Sequence, residues 1–193
     1  MLYGVIFKKS VLEKTLSYFE NIFKNENIKV ITVSIHSAAS CKTFFPSLSF
    51  DNVPVFYSPS TIDRTIKEKK YHEKYFLMVN GDRWMKNPLR GIMALDDLFS
   101  KGLLEGYRVK ITGAKDASQF KYKIQNQDRF DFLGFVDENE LSQVYHDAYC
   151  LLYLSLNEGF GYPPLESMYY GVPVIASSYS SICEVCEGAA LYT

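Results

Sequence analysis

The spacing of apolar residues changes several times along this chain of 193 residues, and each spacing predicts a type of secondary structure. Apolar residues recur with a helical period over 11–23 and 88–99, which is the pattern of helices with one buried face. Nearly continuous apolar runs, such as 75–79 and 151–156, are typical of strands buried on both faces of a parallel sheet. The other predicted elements are strands over 28–35, 53–57, 107–112, 130–135, 172–176 and 189–192, helices over 115–125 and 141–148, and a loop over 36–52.

Strands and helices alternate throughout the second half of the chain, which predicts an α/β fold with a doubly wound parallel sheet and right-handed crossovers. A polar and charged passage over 58–72 precedes this half. We interpret it as the connection between two domains.

Capping residues sharpen three predicted helix starts. Asn87 precedes Pro88, and the pair predicts an N-cap followed by the first helical residue. Two further pairs have the spacing of capping boxes, Asp137 with Glu140 and Ser181 with Glu184.

The segment after the 151–156 run carries the strongest chemical signals. Glu158 follows the predicted strand, two glycines allow tight turns, and a Pro-Pro pair begins a short helix that carries Glu166 in its first turn and ends at Gly171. Loops at the carboxyl ends of parallel strands form ligand crevices, and carboxylates accept hydrogen bonds from sugar hydroxyls. The alternative for each glutamate alone is a solvated loop residue or a helix start favoured by the dipole.

A second candidate segment follows the 75–79 run, where a glycine-containing turn precedes the helix that begins at Pro88. Arg83 and Lys86 lie in this turn, and a guanidinium with an ammonium could neutralise a diphosphate. Either cation alone is also consistent with an ordinary surface residue. Trp84, in the same turn, is interpreted as a packing residue.

The run from Glu158 to Glu166, Glu-Gly-Phe-Gly-Tyr-Pro-Pro-Leu-Glu, followed by Gly-Val-Pro-Val-Ile-Ala, resembles the signature of the group 1 (family 4) retaining glycosyltransferases of GT-B architecture. The likeness extends back to Phe132-Leu-Gly-Phe-Val136 and forward to Leu191. It implies a GT-B-type Rossmann-like donor-binding domain over 73–193 without its C-terminal helices. Residues 1–72 would then be the end of an N-terminal, acceptor-side domain plus a linker, so the chain would be a segment of a longer enzyme.

The resemblance also implies roles for individual residues. Glu158 would be the catalytic residue that contacts the donor sugar, and Glu166 would bind the ribose. The interval between Arg83 and Lys86 is shorter than is common in the family, yet both would hold the donor diphosphate. The full set of implied donor-binding residues is Arg83, Lys86, Gly159, Phe160, Gly161, Tyr162, Pro163, Leu165 and Glu166.

The implied reaction is transfer of a sugar from a nucleoside-diphosphate sugar to an acceptor hydroxyl with retention of configuration, in polysaccharide or glycoconjugate synthesis. The acceptor would be a saccharide or a lipid-linked molecule. Two alternatives stay open: a non-catalytic nucleotide-sugar binding module, and a GT-B-like phosphorylase or epimerase.

Composition narrows the partners. A net charge of -1 gives no electrostatic reason to expect nucleic acid, and no run approaches the about 18 apolar residues of a membrane span. The four cysteines are too few for a disulfide scaffold and indicate a reducing cytoplasm, with contact to the inner face of the membrane at most peripheral. Cys183 and Cys186 form a single CxxC pair, interpreted as structural thiols.

No cofactor or metal is expected. Asp96 and Asp97 fall inside a predicted helix and are interpreted as a solvated face, and the histidines lack metal-ligand spacing.

Overall fold

The computed structural model describes residues 9–25, 27–46, 53–59 and 74–193. The chain forms two compact units, Met1–Ser58 and Pro59–Thr193. The domain boundary predicted at 72/73 stays a prediction, because most of the passage around it lies outside the described residues.

The first unit contains helix α1 (Lys9–Phe23) and helix α2 (Ile35–Phe44). The prediction of a helix over 11–23 is confirmed, whereas the predicted strands over 28–35 and 53–57 reduce to a single parallel bridge between Thr32 and Val55. The predicted loop over 36–52 is wrong for its first part, because α2 occupies it. Ser34 is the N-cap of α2, and its hydroxyl oxygen accepts a hydrogen bond from the main-chain N–H of Ser37 at 3.0 Å.

The second unit is an α/β sandwich whose strands form one parallel sheet. Among the described residues, the sheet has six strands in the order β3-β2-β1-β4-β5-β6. The strands are β1 (Lys74–Met78), β2 (Tyr107–Thr112), β3 (Phe130–Gly134), β4 (Cys150–Tyr153), β5 (Val174–Ala176) and β6 (Leu191–Tyr192). The helices are α3 (Pro88–Ser100), α4 (Glu138–Asp147), α5 (Tyr162–Tyr169) and α6 (Ile182–Cys186). The predicted doubly wound parallel sheet is confirmed.

Side chains that alternate along β1 divide the core into two clusters, one on each face of the sheet. Tyr75 and Leu77 join the cluster built with α4 and α6, whereas Met78 joins the cluster built with α3. Helices therefore cover both faces, which explains why the strands read as apolar runs rather than as alternating sequences.

The predicted helix over 115–125 is wrong. Only a 3-10 turn, Ala117–Gln119, forms there, and the Asp116 side chain accepts a hydrogen bond from the N–H of Ser118 at its start. A carboxylate from α3 holds the rest of the segment: Asp96 accepts hydrogen bonds at 2.9 Å from the main-chain N–H groups of Gln125 and Asn126. Asp96 is only 1% exposed, so its interpretation as part of a solvated face is also wrong.

Two of the predicted caps differ from the structure. Helix α3 begins at Pro88 as predicted, but Asn87 has φ +55 and forms no side-chain cap hydrogen bond among the described residues. Asp137 does cap α4, accepting from the N–H of Glu140 at 2.9 Å. Ser181 precedes α6, yet within the described part of the chain its hydroxyl does not cap that helix.

None of the helices in the described ranges has the length and hydropathy to cross a bilayer.

Candidate functional site

Strands β1 and β4 are neighbours in the sheet. From β1 to β3 the strands are added on one side of β1, and from β4 to β6 they are added on the other side, so the topological switch point lies between β1 and β4. Such a switch point opens a crevice beyond the carboxyl ends of the two strands. The turn that follows β1 carries Lys86, and the loop that follows β4 carries Glu158. A main-chain hydrogen bond joins the two segments, since the N–H of Leu156 donates to the carbonyl oxygen of Met85 at 2.8 Å.

Lys86 and Glu158 form an ion pair at this crevice. The ammonium nitrogen of Lys86 lies 2.6 Å from Oε1 of Glu158, and the two side chains are only 10% and 14% exposed. The same Oε1 accepts hydrogen bonds from the hydroxyls of Tyr153, at 2.7 Å, and Ser155, at 2.5 Å. Lys86 also donates to the Tyr153 hydroxyl oxygen at 2.8 Å. One carboxylate oxygen is thus held by three donors from two loops and a strand.

This environment determines the ionisation of Glu158. Burial acts to raise the pKa of its carboxyl, but the hydrogen bonds from Lys86, Ser155 and Tyr153 favour the carboxylate and together bring the pKa below its usual value. Burial and the neighbouring Glu158 carboxylate raise the pKa of Tyr153, so its hydroxyl keeps its proton. The cluster therefore presents an ammonium, a carboxylate and a neutral phenol at neutral pH.

Glu166 approaches the same cluster from α5. Its carboxylate raises the pKa of Tyr153, and it is hydrogen-bonded with the buried hydroxyl of Tyr145, whose pKa is raised mainly by burial. Tyr153 thus lies within electrostatic reach of both carboxylates, Glu158 and Glu166. The predicted position of Glu166 in the first turn is wrong, because α5 begins at Tyr162 and Glu166 falls in its second turn.

The loop between the two glutamates is fastened by a pair of serines from the segment before α6. The main-chain N–H of Glu158 donates to the hydroxyl oxygen of Ser180 at 3.0 Å. The Ser181 hydroxyl lies within hydrogen-bond distance of two main-chain carbonyl oxygens, those of Glu158 at 3.0 Å and Phe160 at 2.8 Å. Gly161, with φ +106, then turns the chain into α5.

The other loop residues divide into buried supports and exposed groups. Phe160 and Gly161 are buried, Pro163 and Leu165 are half-buried, and Gly159 and Tyr162 are exposed. The two prolines of the first turn of α5 have no N–H, so this helix start offers a ligand fewer main-chain donors than an ordinary one. Arg83 supports the turn through its main chain, and its exposed guanidinium has no partner among the described residues.

Tyr153, Ser155, Ser180 and Ser181 are the site residues that the sequence analysis did not identify. Ser155 precedes Glu158 by three positions, and Tyr153 and Ser155 are the two hydroxyl-bearing residues in the otherwise aliphatic run 151–156. These features were the signals in the sequence for Tyr153 and Ser155. Ser181 was assigned to a helix cap instead, and Ser180 was assigned no role. Trp84, interpreted as a packing residue, is 43% exposed.

Across the described ranges, no three His, Cys, Asp or Glu side chains converge as a metal site would require.

Comparisons with known proteins identify the family of this chain. Residues 60–190 match the family model described as glycosyl transferases group 1. O-antigen chain mannosyltransferase RfbU of Salmonella typhimurium is 32% identical over 169 residues, which cover 84% of this chain and 46% of that protein. The chain thus spans about half the length of this curated relative.

Two solved structures are similar in fold. WaaG, a glycosyltransferase involved in lipopolysaccharide biosynthesis, superposes with a TM-score of 0.70 at 17% identity over 85% of this chain and 48% of WaaG. HepE of Anabaena, solved with UDP and glucose, superposes with a TM-score of 0.69 at 17% identity over 97% of this chain and 54% of HepE. The fold is therefore of the GT-B type. With a family match that covers most of the chain, the switch-point crevice and its charged cluster belong to a member of the group 1 glycosyl transferases.

Proposed function

We propose that this chain forms the donor-binding half of a retaining glycosyltransferase, which transfers a sugar from a nucleoside-diphosphate sugar to an acceptor hydroxyl. The observation that carries the proposal is the pairing of Lys86 with Glu158 at 2.6 Å in the switch-point crevice, with Glu166 approaching the same tyrosine. In a nucleotide sugar the diphosphate lies between the ribose and the transferred sugar. A cation can bind the diphosphate, and the two carboxylates can accept hydrogen bonds from the hydroxyls of the two sugars.

Each charged residue has a role in this proposal. Lys86 binds the donor diphosphate and stabilises the negative charge that develops as it leaves, while the exposed guanidinium of Arg83 moves onto the same group when donor binds. Glu158 accepts hydrogen bonds from the donor sugar, and Glu166 accepts them from the ribose. The main-chain amides of Gly161 and Tyr162, which precede the two prolines, supplement the cations.

Retention of configuration follows in the proposal from front-face transfer, in which a donor phosphate oxygen takes the proton of the acceptor hydroxyl. A covalent route requires a carboxylate nucleophile on the opposite face of the sugar. In the proposal Glu158 does not take that role: three donors hold its Oε1, and its Oε2 accepts a hydrogen bond from the donor sugar. Lys86 supplies the positive charge, so we propose that no metal ion is needed.

The similarity to RfbU, an O-antigen chain mannosyltransferase, motivates a finer proposal, that the transferred sugar is mannose and that the product is a surface polysaccharide or glycoconjugate. A saccharide or lipid-linked acceptor would then be met in the cytoplasm or at the inner face of a membrane. Nucleic acid is not proposed as a partner, since the net charge is -1.

Thermal-shift measurements test the proposal, because a ligand that binds only the folded state raises its stability by about 2.7 kcal/mol at 100 times the Kd. We expect one or more of GDP-mannose, UDP-glucose and ADP-glucose to raise the Tm of the wild type, with or without a metal chelator. The shift should be lost in Lys86→Met and Glu166→Gln. The thermal shift should be kept in two control variants, Lys101→Met and Glu140→Gln. Lys101 is an exposed residue at the carboxyl end of α3, and Glu140 is an exposed residue of α4.

Absence of a shift for the wild type with every nucleotide sugar at millimolar concentration would contradict the proposal. Donor breakdown that requires inorganic phosphate would favour a phosphorylase instead. Conversion of the donor without an acceptor would favour an epimerase.

A further inference from the structure

Tyr153 occupies the centre of the charged cluster although it belongs to the hydrophobic core. It is the last residue of β4, is 2% exposed, and packs in the same buried cluster as Leu77 and Leu151. A phenylalanine would fill this space equally well, so the hydroxyl is not explained by packing. Its oxygen lies 2.8 Å from the Lys86 ammonium and 2.7 Å from Oε1 of Glu158.

The directions of these hydrogen bonds are fixed by chemistry. An ammonium can only donate, so the Tyr153 oxygen accepts from Lys86, and the single phenolic proton goes to Glu158. Lys86 has three N–H groups, of which one goes to Tyr153 and one to Glu158. One N–H therefore remains for a ligand.

The carboxylate of Glu158 is similarly divided. Lys86, Tyr153 and Ser155 all donate to Oε1, whereas Oε2 accepts no hydrogen bond from any residue that the structure describes. Oε1 is therefore an anchor, and Oε2 is the oxygen left for a sugar hydroxyl.

We propose that Tyr153 is a positioning residue of the donor site: by accepting from Lys86 and donating to Glu158, its hydroxyl aims the remaining N–H of Lys86 at the diphosphate and Oε2 of Glu158 at the sugar. The inference rests on the proposed function, since it assigns these two groups to the two parts of a nucleotide sugar. Tyr153 acts through its neighbours and does not touch the reacting atoms.

Charged and titratable groups reach Tyr153 from each element packed around it. Lys86 comes from the turn after β1, Glu158 from the loop after β4, Glu166 from α5 and Cys186 from α6. From α4, Tyr145 reaches the cluster through Glu166. Burial raises the pKa of the phenol, and the two carboxylates raise it further, so the hydroxyl remains a donor to Glu158 across the physiological range.

The substitution Tyr153→Phe tests the inference, with Tyr75→Phe as the matched control. Tyr75 lies on neighbouring β1 in the same core cluster, is 3% exposed, and donates its hydroxyl to the carbonyl oxygen of Val144 at 2.7 Å. Both variants lose one buried phenol hydroxyl, but only Tyr153→Phe removes a hydrogen bond to Glu158.

Two measurements are made on the wild type and both variants. The first is the NMR titration of the Glu158 side-chain carboxyl, assigned with Glu158→Gln. The second is the Kd for the nucleotide sugar that stabilises the wild type, measured by calorimetry. In Tyr153→Phe the Glu158 pKa should rise and the Kd should increase about tenfold, as expected when one hydrogen bond to a charged group is lost. Tyr75→Phe should match the wild type in both.

A merely structural role for Tyr153 would leave the Glu158 titration unchanged, and that result would overturn the inference. An unchanged Kd in Tyr153→Phe would overturn it as well, while the proposed function would stand on the binding by the wild type. If the wild type itself bound no nucleotide sugar, the proposed function would fail first, and the inference would fall with it.

Discussion

The hydroxyl of Ser181 lies 2.8 Å from the main-chain carbonyl oxygen of Phe160, although 21 residues separate them along the chain. Ser181 is fully buried, and the same hydroxyl also reaches the carbonyl oxygen of Glu158 at 3.0 Å. The segment that follows β5 thus fixes the loop that follows β4. Because this loop carries Glu158, the Ser181 hydrogen bonds also fix the position of Glu158.

Replacing Ser181 with alanine should loosen this loop. The Ser181 hydroxyl has one proton, which the carbonyl oxygens of Glu158 and Phe160 share, and the substitution removes that donor. A buried polar group left without a partner costs about 1–3 kcal/mol. We expect urea unfolding to show a loss in that range and the nucleotide-sugar Kd to increase. Ser178→Ala is the control, because the Ser178 hydroxyl is exposed and its hydrogen bond to the Thr193 carbonyl oxygen is long, at 3.3 Å. Equal effects of the two substitutions would contradict a specific role for Ser181.

Replacing Lys86 with methionine should make stability depend on pH in a new way. In the wild type the Glu158 pKa is lowered in the folded state, so this carboxylate stabilises the fold above its unfolded pKa and the contribution is lost as pH falls through the folded pKa. In Lys86→Met the largely buried Glu158 carboxylate loses its ion-pair partner. This loss should lower the free energy of unfolding by about 3 kcal/mol near neutral pH.

The difference in the free energy of unfolding between the wild type and Lys86→Met should therefore narrow as the pH is lowered from neutral into the acidic range, because burial without the Lys86 hydrogen bond favours protonation of Glu158 in the variant. Urea unfolding at several pH values measures this. Adding Glu158→Gln to Lys86→Met should remove the pH-dependent part. A difference that stays constant with pH would show that Glu158 does not depend on Lys86 for its ionisation.

Two adjacent aspartates on α3 should respond very differently to the same substitution. Asp96 is 1% exposed, and its carboxylate accepts from the Tyr122 hydroxyl and the main-chain N–H groups of Gln125 and Asn126. Asp97 is 59% exposed and pairs with Lys101 at 2.6 Å. Asp96→Asn should lower the free energy of unfolding by about 3 kcal/mol, whereas Asp97→Asn should change it by less than about 0.5 kcal/mol.

The effect of Asp96→Asn should also diminish in acid. Burial acts to raise the Asp96 pKa, but the hydrogen bonds outweigh it and the folded pKa lies below the usual value. Its stabilising contribution is therefore present above the unfolded pKa and disappears as pH falls through the folded pKa. Chemical unfolding at neutral and acidic pH measures the change, and an effect of equal size at both would contradict the assignment.

The thiols should react in an order set by burial. Cys183 is exposed, whereas Cys150 and Cys186 are 4% and 3% exposed, and burial raises the pKa of each of these two to about 11. Because the thiolate is the nucleophile, iodoacetamide at pH 8 should modify Cys183 first. Peptide mass spectrometry after a short pulse measures the order. Protein unfolded in urea is the control, in which the differences should vanish.

The sequence predicted the architecture of the second unit because its signals are local. A strand covered on both faces must be apolar throughout, and a helix with one buried face must repeat its apolar residues every three to four positions. These constraints located β1, β2, α3 and β4 to within a few residues. The prediction of a helix over 115–125 is wrong because the end of that segment bonds to a distant residue. The carboxylate of Asp96 accepts hydrogen bonds from the main-chain N–H groups of Gln125 and Asn126.

The sequence by itself also determined the chemical types at the site, since the glutamate-bearing loop and the lysine-bearing turn each follow a predicted strand. Only the tertiary structure decided which groups meet. Strand β4 pairs with β1 across 74 positions of sequence, and that pairing brings Lys86, Tyr153 and Glu158 within hydrogen-bond distance. Periodicity reports which face of an element is buried, whereas hydrogen-bond partners depend on strand order and register, which the spacing of apolar residues does not encode.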